Sequence, residues 1–180
     1  MKEDILSAKP IQVGIVLGSA SDWPEVQGAV RLLQQWEVGH EVVVASAHRS
    51  PERAHAYAGE AEARGLQVII AVAGAAAHLA GVLAAQTILP VIGVPIASSP
   101  LQGLDSLLAT AQMPAGVPVA TMALGAAGAR NAAILAVQIL ARQDLRLRQR
   151  LAEYKKEMAR TVEQASQQLQ VNLADCGQSS

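Results

Sequence analysis

The chain alternates between short continuous apolar runs and longer segments in which apolar residues recur every three or four positions. Continuous apolar runs bounded by Gly, Ser or Pro are typical of strands buried on both faces of a parallel sheet, and the recurring pattern predicts helices. The predicted strands are Val13–Leu17, Glu41–Ala45, Gln67–Ala73, Val91–Val94 and Val117–Leu124. The predicted helices end near Trp36 and Arg64 or span His78–Ile88, Leu104–Ala111 and Gly128–Arg142.

Strands that alternate with helices predict right-handed crossovers and therefore an α/β three-layer sandwich around a five-stranded parallel sheet. The pattern does not define the strand order, and five strands favour the flavodoxin-like arrangement. We therefore expect a flavodoxin-like domain over residues 1–143, a C-terminal helical arm over 144–171 and a disordered tail over 172–180.

The predicted arm is a long amphipathic helix. Half of all Lys and Arg residues lie between Arg142 and Arg160. Two interpretations remain open: a solvated helix packed on its own domain, or an arm that packs on a neighbouring subunit. Its apolar residues recur at spacings of three or four, at Leu147, Leu151, Tyr154, Met158, Val162, Ala165 and Leu169.

Charge is very unevenly distributed, because Asp105 and Arg130 are the only charged residues between Gly65 and Ala141. Within this stretch Val68–Ala85 is as long as a membrane helix. It is rich in Ala and Gly and contains His78, so it reads better as a buried strand, a loop and a buried helix. Helices without charged faces must be covered, and we expect other subunits of a sizeable homo-oligomer to cover them.

Composition excludes several classes of protein. The net charge is −1 and aromatic residues make up 2%, which disfavours nucleic-acid binding. Cys176 is the only cysteine, so no internal disulfide or cysteine zinc site is expected, and a reducing cytoplasm fits. The first ten residues lack a signal-peptide pattern. The chain also lacks a Gly-x-Gly-x-x-Gly or Walker loop, a nucleophile elbow and convincing metal-ligand spacing.

Polar loops follow the first and second predicted strands, at the sheet edge where ligands of such folds bind. In Gly18–Asp22, backbone amides and small hydroxyls suit a phosphate, whereas Asp22 better suits a sugar hydroxyl. The purely structural alternative is that Ser21 and Asp22 cap the helix. In Ser46–Pro51, His48 can exchange protons near neutral pH and Arg49 can hold an anion. The alternative there is a surface pair in an ordinary turn.

The loop after the third predicted strand, Gly74–Gly81, consists mainly of small residues that allow a ligand to approach the backbone closely. His78 lies at its helix start, and a buried histidine bonded to a backbone carbonyl is an equally acceptable interpretation. His40 and His55 lack such a position, and we assign them no role. Together the loops predict a proton shuttle and an anion-binding cradle.

Taken together, these loops resemble the PurE family, over residues from about Val13 to Arg142. The Ser-Ala-His-Arg sequence is similar to the class I enzymes, which act on N5-carboxyaminoimidazole ribonucleotide, whereas class II relatives carboxylate aminoimidazole ribonucleotide with carbon dioxide. The matching strings are Gly18–Trp23, Ser46–Pro51, Ala76–Leu79, Gly93–Pro95, Gly103–Leu107, Gln112–Pro114 with Gly116 and Pro118, and Asn131–Ala133.

The resemblance implies a flavodoxin-like octamer and a mutase of purine synthesis that needs no metal or cofactor. It also implies His48 as general acid and base, with His78 as a supporting relay. By position, Ser19 and Arg49 would hold the 5′-phosphate, Asp22 the ribose hydroxyls, and Ser46, Gly74 and Leu79 would line the pocket.

The chain departs from the family pattern in the third loop, where the family has Gly-Gly-Ala-Ala-His-Leu-Pro-Gly. Ala75 replaces a glycine and Ala80 a proline. If position 75 needs a positive φ, alanine costs energy there, and Ala80 loosens the helix start. Three alternatives remain: a direct carboxylase, a non-catalytic nucleotide-binding module, and a PurE-like domain of nickel-cofactor assembly.

Overall fold

The computed structural model describes residues 10–177, with side chains to residue 173. Five strands and six α-helices alternate along this part of the chain, and a 3₁₀ turn at Ala20–Asp22 precedes the first helix. The strands are β1 Val13–Leu17, β2 His40–Val44, β3 Val68–Gly74, β4 Val91–Ile96 and β5 Ala120–Thr121. The helices are α1 Trp23–Gln35, α2 Pro51–Ala61, α3 Leu79–Ala84, α4 Leu104–Ala111, α5 Gly125–Leu140 and α6 Leu145–Gly177.

The strands form one parallel sheet in the order β2-β1-β3-β4-β5, which confirms the predicted flavodoxin-like arrangement. In the sheet Leu17 of β1 lies between Val44 of β2 and Val72 of β3. The connection after β1 leads to one side of the sheet, and the connection after β2 leads back to the other side, so the strand order switches between β1 and β3. Folds of this kind bind ligands at that switch point.

Apolar burial explains the layers. Every residue of β1 and β4 is buried, as are the first five of β3, because helices cover both faces of the sheet. The helix α1 packs against α5, whereas α3 contacts α2 and α4. The uncharged segment Val68–Ala85 is the strand β3, a loop and α3, as predicted. Within residues 10–177, no helix is both long and apolar enough to cross a membrane.

Two elements are shorter than predicted. The strand β5 pairs with β4 only at Ala120 and Thr121, because it lies at the sheet edge and Pro118 has no amide to donate. The helix α3 ends at Ala84 instead of Ile88. Beyond it the Thr87 hydroxyl accepts a hydrogen bond from the Leu89 amide (3.2 Å), which forms a local turn.

The chain divides into two compact units, one ending at Leu140 and one beginning at Ala141. The second unit is the helix α6, which the Asp144 carboxylate caps by accepting a hydrogen bond from the Arg146 amide (2.8 Å). The helix was predicted to end at 171, and its backbone continues to Gly177. Of the predicted disordered tail, residues 178–180 lie outside the described part, and their disorder stays a prediction.

A partly buried polar cluster links α2 to the sheet. The Tyr57 hydroxyl donates a hydrogen bond to Glu41 of β2 (2.9 Å), and Glu41 also pairs with Arg64. Burial and the adjacent Glu41 carboxylate raise the pKa of Tyr57, so the phenol stays protonated and keeps donating. The Tyr57 hydroxyl fits because Gly14 of β1 has no side chain: a Cβ there would clash with it and lie 2.7 Å from a Leu66 methyl carbon.

We expect Gly14→Ala to lower the free energy of unfolding by about 1–3 kcal/mol, because the added methyl group overpacks a site that cannot expand. The matched control is Gly28→Ala in α1, where a Cβ would meet no atom within 4 Å. That change should raise stability by roughly 0.5–1 kcal/mol through helix propensity. Urea unfolding of both variants tests the packing, and equal effects of the two changes would contradict it.

Candidate active site

Four loops meet at the carboxyl edge of the sheet, and each directly follows a strand. Because β2, β1, β3 and β4 are parallel neighbours, their following residues converge at one place. A cavity of about 340 Å³ lies there, which is at the lower end of the roughly 300–1,000 Å³ typical of small-molecule sites. Its lining residues are Gly18, Ser19, Ser21, Asp22, Ser46, Ala47, His48, Arg49, Ala73, Gly74, Ala75, Ala76, Leu79 and Ser98.

The loop after β1 is held by a reciprocal capping box. The Ser19 hydroxyl accepts a hydrogen bond from the Ser21 amide (3.3 Å), and the Ser19 amide donates to the Asp22 carboxylate (3.1 Å). The Ser21 hydroxyl also donates to that of Ser19 (2.8 Å). The capping alternative is only partly right, because this box closes the 3₁₀ turn Ala20–Asp22 with Ser19 as the capping hydroxyl, and the Asp22 side chain makes no capping hydrogen bond to α1. The same bonds orient two hydroxyls toward the cavity.

Asp22 is buried beside the Ser19 and Ser21 hydroxyls. Burial raises the pKa of its carboxyl, and the nearby Glu25 adds to the effect, while the Ser19 amide and Arg49 oppose it. A buried carboxylate with one backbone donor retains acceptor capacity for a further hydroxyl group. This arrangement suits a sugar hydroxyl better than a phosphate.

The loop after β2 places the cationic side chain of the cavity. The Arg49 guanidinium donates to the Gly18 carbonyl (3.2 Å) and so reaches across to the β1 loop. The Ser46 hydroxyl accepts from the Arg49 amide (3.2 Å). The Ser50-Pro51 sequence predicts Ser50 as the cap of α2, but the Ser50 hydroxyl makes no capping hydrogen bond to that helix. It accepts from the Ser46 amide instead (2.9 Å) and closes the loop.

His48 and His78 are in direct contact although 30 residues separate them along the chain. The His48 Nε2 and the His78 Nδ1 lie 2.9 Å apart, with the ring centroids 5.0 Å apart in an edge-to-face arrangement. Both side chains are exposed, so His78 is not the buried histidine of the alternative interpretation. One of the facing nitrogens must carry a proton and the other must accept it. The tautomers of the two rings are therefore linked.

The loop after β3 requires small residues. A side chain at Gly74 would clash with Ser98, which follows β4. Ala75 has a φ of +50°, a conformation that favours glycine. The positive φ at position 75 is the case in which alanine was expected to cost energy. Ala80 is buried as the second residue of α3.

The structure brings all the predicted site residues together. Seven of them line the cavity, and His78 joins through His48. His40 bonds to the Val38 carbonyl (2.8 Å), and His55 lies exposed on α2. Ser98 also lines the cavity and was not predicted, although a polar residue shortly after the buried strand β4 was the available signal. Within the described residues, no group of three or more His, Cys, Asp or Glu side chains could hold a metal.

These parts allow a specific kind of chemistry. Hydroxyls and a guanidinium in the cavity can bind an anion. An imidazole pair beside them can give and take a proton. Alanine side chains and Leu79 supply the apolar part of the cavity lining. The site is thus equipped to bind a small phosphorylated molecule and to move protons on it.

Comparison with known proteins places the chain in a family. The sequence model of the family described as AIR carboxylase matches residues 12–161. The N5-carboxyaminoimidazole ribonucleotide mutase of Pyrococcus horikoshii is 51% identical over 164 residues, covering 91% of each chain. The mutase of Escherichia coli is 52% identical over 147 residues, covering 82% of this chain and 87% of that one. The Bacillus subtilis mutase is 51% identical, covering 87% and 97%.

A solved structure shares the fold. The crystal structure of Treponema denticola PurE superimposes with a TM-score of 0.79 and covers 88% of this chain and 98% of that chain. Its sequence identity is 24%, so the likeness concerns the fold.

We expect Ala75→Gly to raise the free energy of unfolding by about 1 kcal/mol, because it removes the steric cost of a left-handed alanine. The matched control is Ala76→Gly, since Ala76 has no positive φ. That change should lower stability by roughly 0.5–1 kcal/mol through chain entropy. Denaturant unfolding measures the free energy of unfolding of both variants. A loss of stability in Ala75→Gly would show that the loop is not strained.

A second prediction follows from the raised pKa of Asp22. The folded protein binds a proton at Asp22 more readily than the unfolded chain does, so this carboxyl lowers stability as pH rises above 3.8 toward its folded pKa. Asp22→Asn keeps an oxygen to accept the Ser19 amide and removes the titration. The free energy of unfolding of Asp22→Asn, relative to that of the wild type, should therefore increase from pH 4 to pH 7. If this difference instead increased as the pH was lowered, the direction of the pKa shift would be contradicted.

Proposed function

Because this chain belongs to the AIR carboxylase family, we propose that it is an N5-carboxyaminoimidazole ribonucleotide mutase of de novo purine biosynthesis. The enzyme would convert N5-carboxyaminoimidazole ribonucleotide into 4-carboxy-5-aminoimidazole ribonucleotide. The observation that carries the proposal is the contact between His48 and His78 beside a serine and arginine cradle. The relatives that bear the mutase name share about half of this sequence.

The cradle suits the nucleotide end of this substrate. Ser19 and Arg49 would bind the 5′-phosphate, because a guanidinium and a hydroxyl both donate to phosphate oxygens. Asp22 would accept hydrogen bonds from the ribose hydroxyls. Ser46, Gly74 and Leu79 would then enclose the imidazole, with Gly74 allowing the ring to approach the backbone.

The reaction moves a carboxyl group from the exocyclic nitrogen to carbon 4 of the ring. His48 would donate a proton to that nitrogen as its bond to the carboxylate carbon breaks, which releases carbon dioxide. Carbon 4 then attacks the carbon dioxide, and His48 removes the proton from carbon 4. One imidazole acts first as acid and then as base, so the protons balance without an external source.

His78 would support this exchange. Two imidazolium rings could not face each other at 2.9 Å, because both facing nitrogens would carry protons. The pair therefore favours a single shared proton between the facing nitrogens, and this proton can shift toward either ring as the charge on His48 changes during the reaction. His78 is a relay in this proposal and His48 is the group that meets the substrate.

Retention of carbon dioxide must supply much of the rate. General acid–base catalysis contributes roughly 10²–10⁴-fold, and enzymes accelerate reactions by at least about 10⁶-fold. Holding the released molecule beside carbon 4 converts a bimolecular recombination into a step within one complex. The apolar side chains of the cavity lining offer no hydrogen-bonding group that would favour water over carbon dioxide beside them. They are Ala47, Ala73, Ala75, Ala76 and Leu79.

The alternative of a direct carboxylase is supported by the description of the matching family. The matching family carries the description AIR carboxylase, and a carboxylase would use carbon dioxide from solution with the uncarboxylated nucleotide. The same His48 could then act only as the base at carbon 4. The two reactions differ in their need for bicarbonate, which makes them separable.

We also propose that the enzyme is a cytoplasmic homo-oligomer, an octamer as the family resemblance implies. Large apolar side chains on and around α4 support an assembly. Leu101, Leu104 and Leu108 are 63%, 56% and 47% exposed in the single chain, which is a large apolar area to leave in water. The lone cysteine suits a reducing compartment.

The test is incubation of the purified protein with N5-carboxyaminoimidazole ribonucleotide, following the carbon-4 carboxylate by ultraviolet absorbance. Wild type should form product without added bicarbonate, and His48→Asn should lower kcat by at least about 10²-fold. Binding of the nucleotide, measured by calorimetry, should persist in this variant. Product that forms only from the uncarboxylated nucleotide and bicarbonate would identify the carboxylase instead.

The control for this variant is His55→Asn, which alters an exposed histidine on α2 outside the cavity. Its kcat should match that of the wild type. Near-native activity in His48→Asn would overturn the catalytic assignment, and loss of nucleotide binding in a folded His48→Asn would show a binding role instead.

A further inference from the structure

The distal part of α6 carries an apolar stripe exposed in the single chain. Met158, Val162, Leu169 and Leu173 are 37%, 70%, 58% and 58% exposed, and Ala165 between them is also exposed. At 100° per residue these five side chains fall within an arc of about 80° on one side of the helix. The stripe extends to Leu173, beyond the family match, which ends at residue 161.

The spacing along this stripe repeats every 11 residues. Met158 and Leu169 are 11 apart, as are Val162 and Leu173. An 11-residue repeat corresponds to about 3.67 residues per turn, so the stripe runs nearly parallel to the helix axis. A stripe of this form can contact a second straight helix along its whole length.

Charge along α6 is polarised. Residues 145–160 contain six basic and two acidic side chains, a balance of +4, whereas residues 161–177 contain Glu163 and Asp175 and no Lys or Arg, a balance of −2. Two parallel copies would place the positive halves side by side. In an antiparallel pair centred between residues 165 and 166, residues 154–160, with a balance of +2, would lie beside residues 171–177 of the second copy, with a balance of −1, and the helix dipoles would also oppose each other favourably.

We propose that the stripe Met158–Leu173 pairs with the same segment of a second copy of this chain as an antiparallel helix pair centred between Ala165 and Ser166. In this register Met158 faces Leu173 of the second copy and Val162 faces its Leu169. The two copies of Ala165 lie one residue apart along the pair, and their small side chains let the helices approach closely.

The pair needs support from the rest of the assembly. A segment of 16 residues is about 24 Å long. A standard interface buries about 800 Å² of surface on each partner, and one face of this segment buries much less. The inference therefore rests on the proposed oligomer, which brings arms together at high effective concentration.

Cysteine cross-linking of the full-length protein tests both the contact and its direction. In a Cys176→Ser background, Ala165→Cys should give a disulfide-linked dimer under mild oxidation with diamide, in most of the protein. Gln167→Cys, on the opposite side of the helix, should give at least tenfold less. The native Cys176 should also cross-link poorly, because antiparallel helices separate the two copies of this residue.

A second pair of variants tests the stripe itself. Leu169→Glu, added to the Ala165→Cys protein, should reduce cross-linking at least tenfold because it places a carboxylate on the stripe. Gln164→Glu adds the same charge off the stripe and should leave cross-linking unchanged. Turnover should persist in all these variants, because none alters the cavity.

Light scattering separates the possible failures. An oligomer that does not cross-link at residue 165 overturns the helix pair alone, and efficient cross-linking of native Cys176 overturns its direction. A monomeric mass without cross-linking overturns both the pair and the proposed oligomer, while the turnover assay reports on the enzymatic proposal independently.

Discussion

The hydrogen bond between the His48 and His78 rings depends on β2 and β3 flanking β1 in a parallel sheet. Because β2 and β3 run in the same direction on either side of β1, they end at the same edge, and the two histidines that follow them come within 2.9 Å although they are 30 positions apart. The cradle obeys the same constraint, since Arg49 reaches the Gly18 carbonyl across the same edge. The buried apolar strands that specify the sheet thereby specify the site.

The loops at this edge show how the site is held in shape. Backbone-to-side-chain hydrogen bonds close the first two loops, through Ser19 and Asp22 in one and Ser46 and Ser50 in the other. The third loop instead relies on small residues, and Ala75 keeps a left-handed conformation that glycine would adopt at lower cost. Such local strain persists because the neighbouring strand and helix fix both ends of the loop.

Charge is partitioned between the two units of the chain. The first unit is poor in charge over its second half and exposes leucines around α4. The helix α6 carries six of the 14 Lys and Arg residues and an exposed apolar stripe. Both features suit contacts between copies of the chain, one through a broad apolar surface and the other through a narrow helical face.

The sequence by itself determined the element order, the parallel sheet and the loops that hold the site, because buried strands and amphipathic helices have distinct periodicities. His48, Arg49 and Asp22 could be singled out because polar residues directly follow apolar strands. Tertiary structure decided the short β5, the early end of α3 and the longer α6, since edge pairing, turns and helix ends depend on local hydrogen bonds. It alone decided the contact of His48 with His78 and the place of Ser98, because distances between loops are set by strand order, which no local pattern encodes.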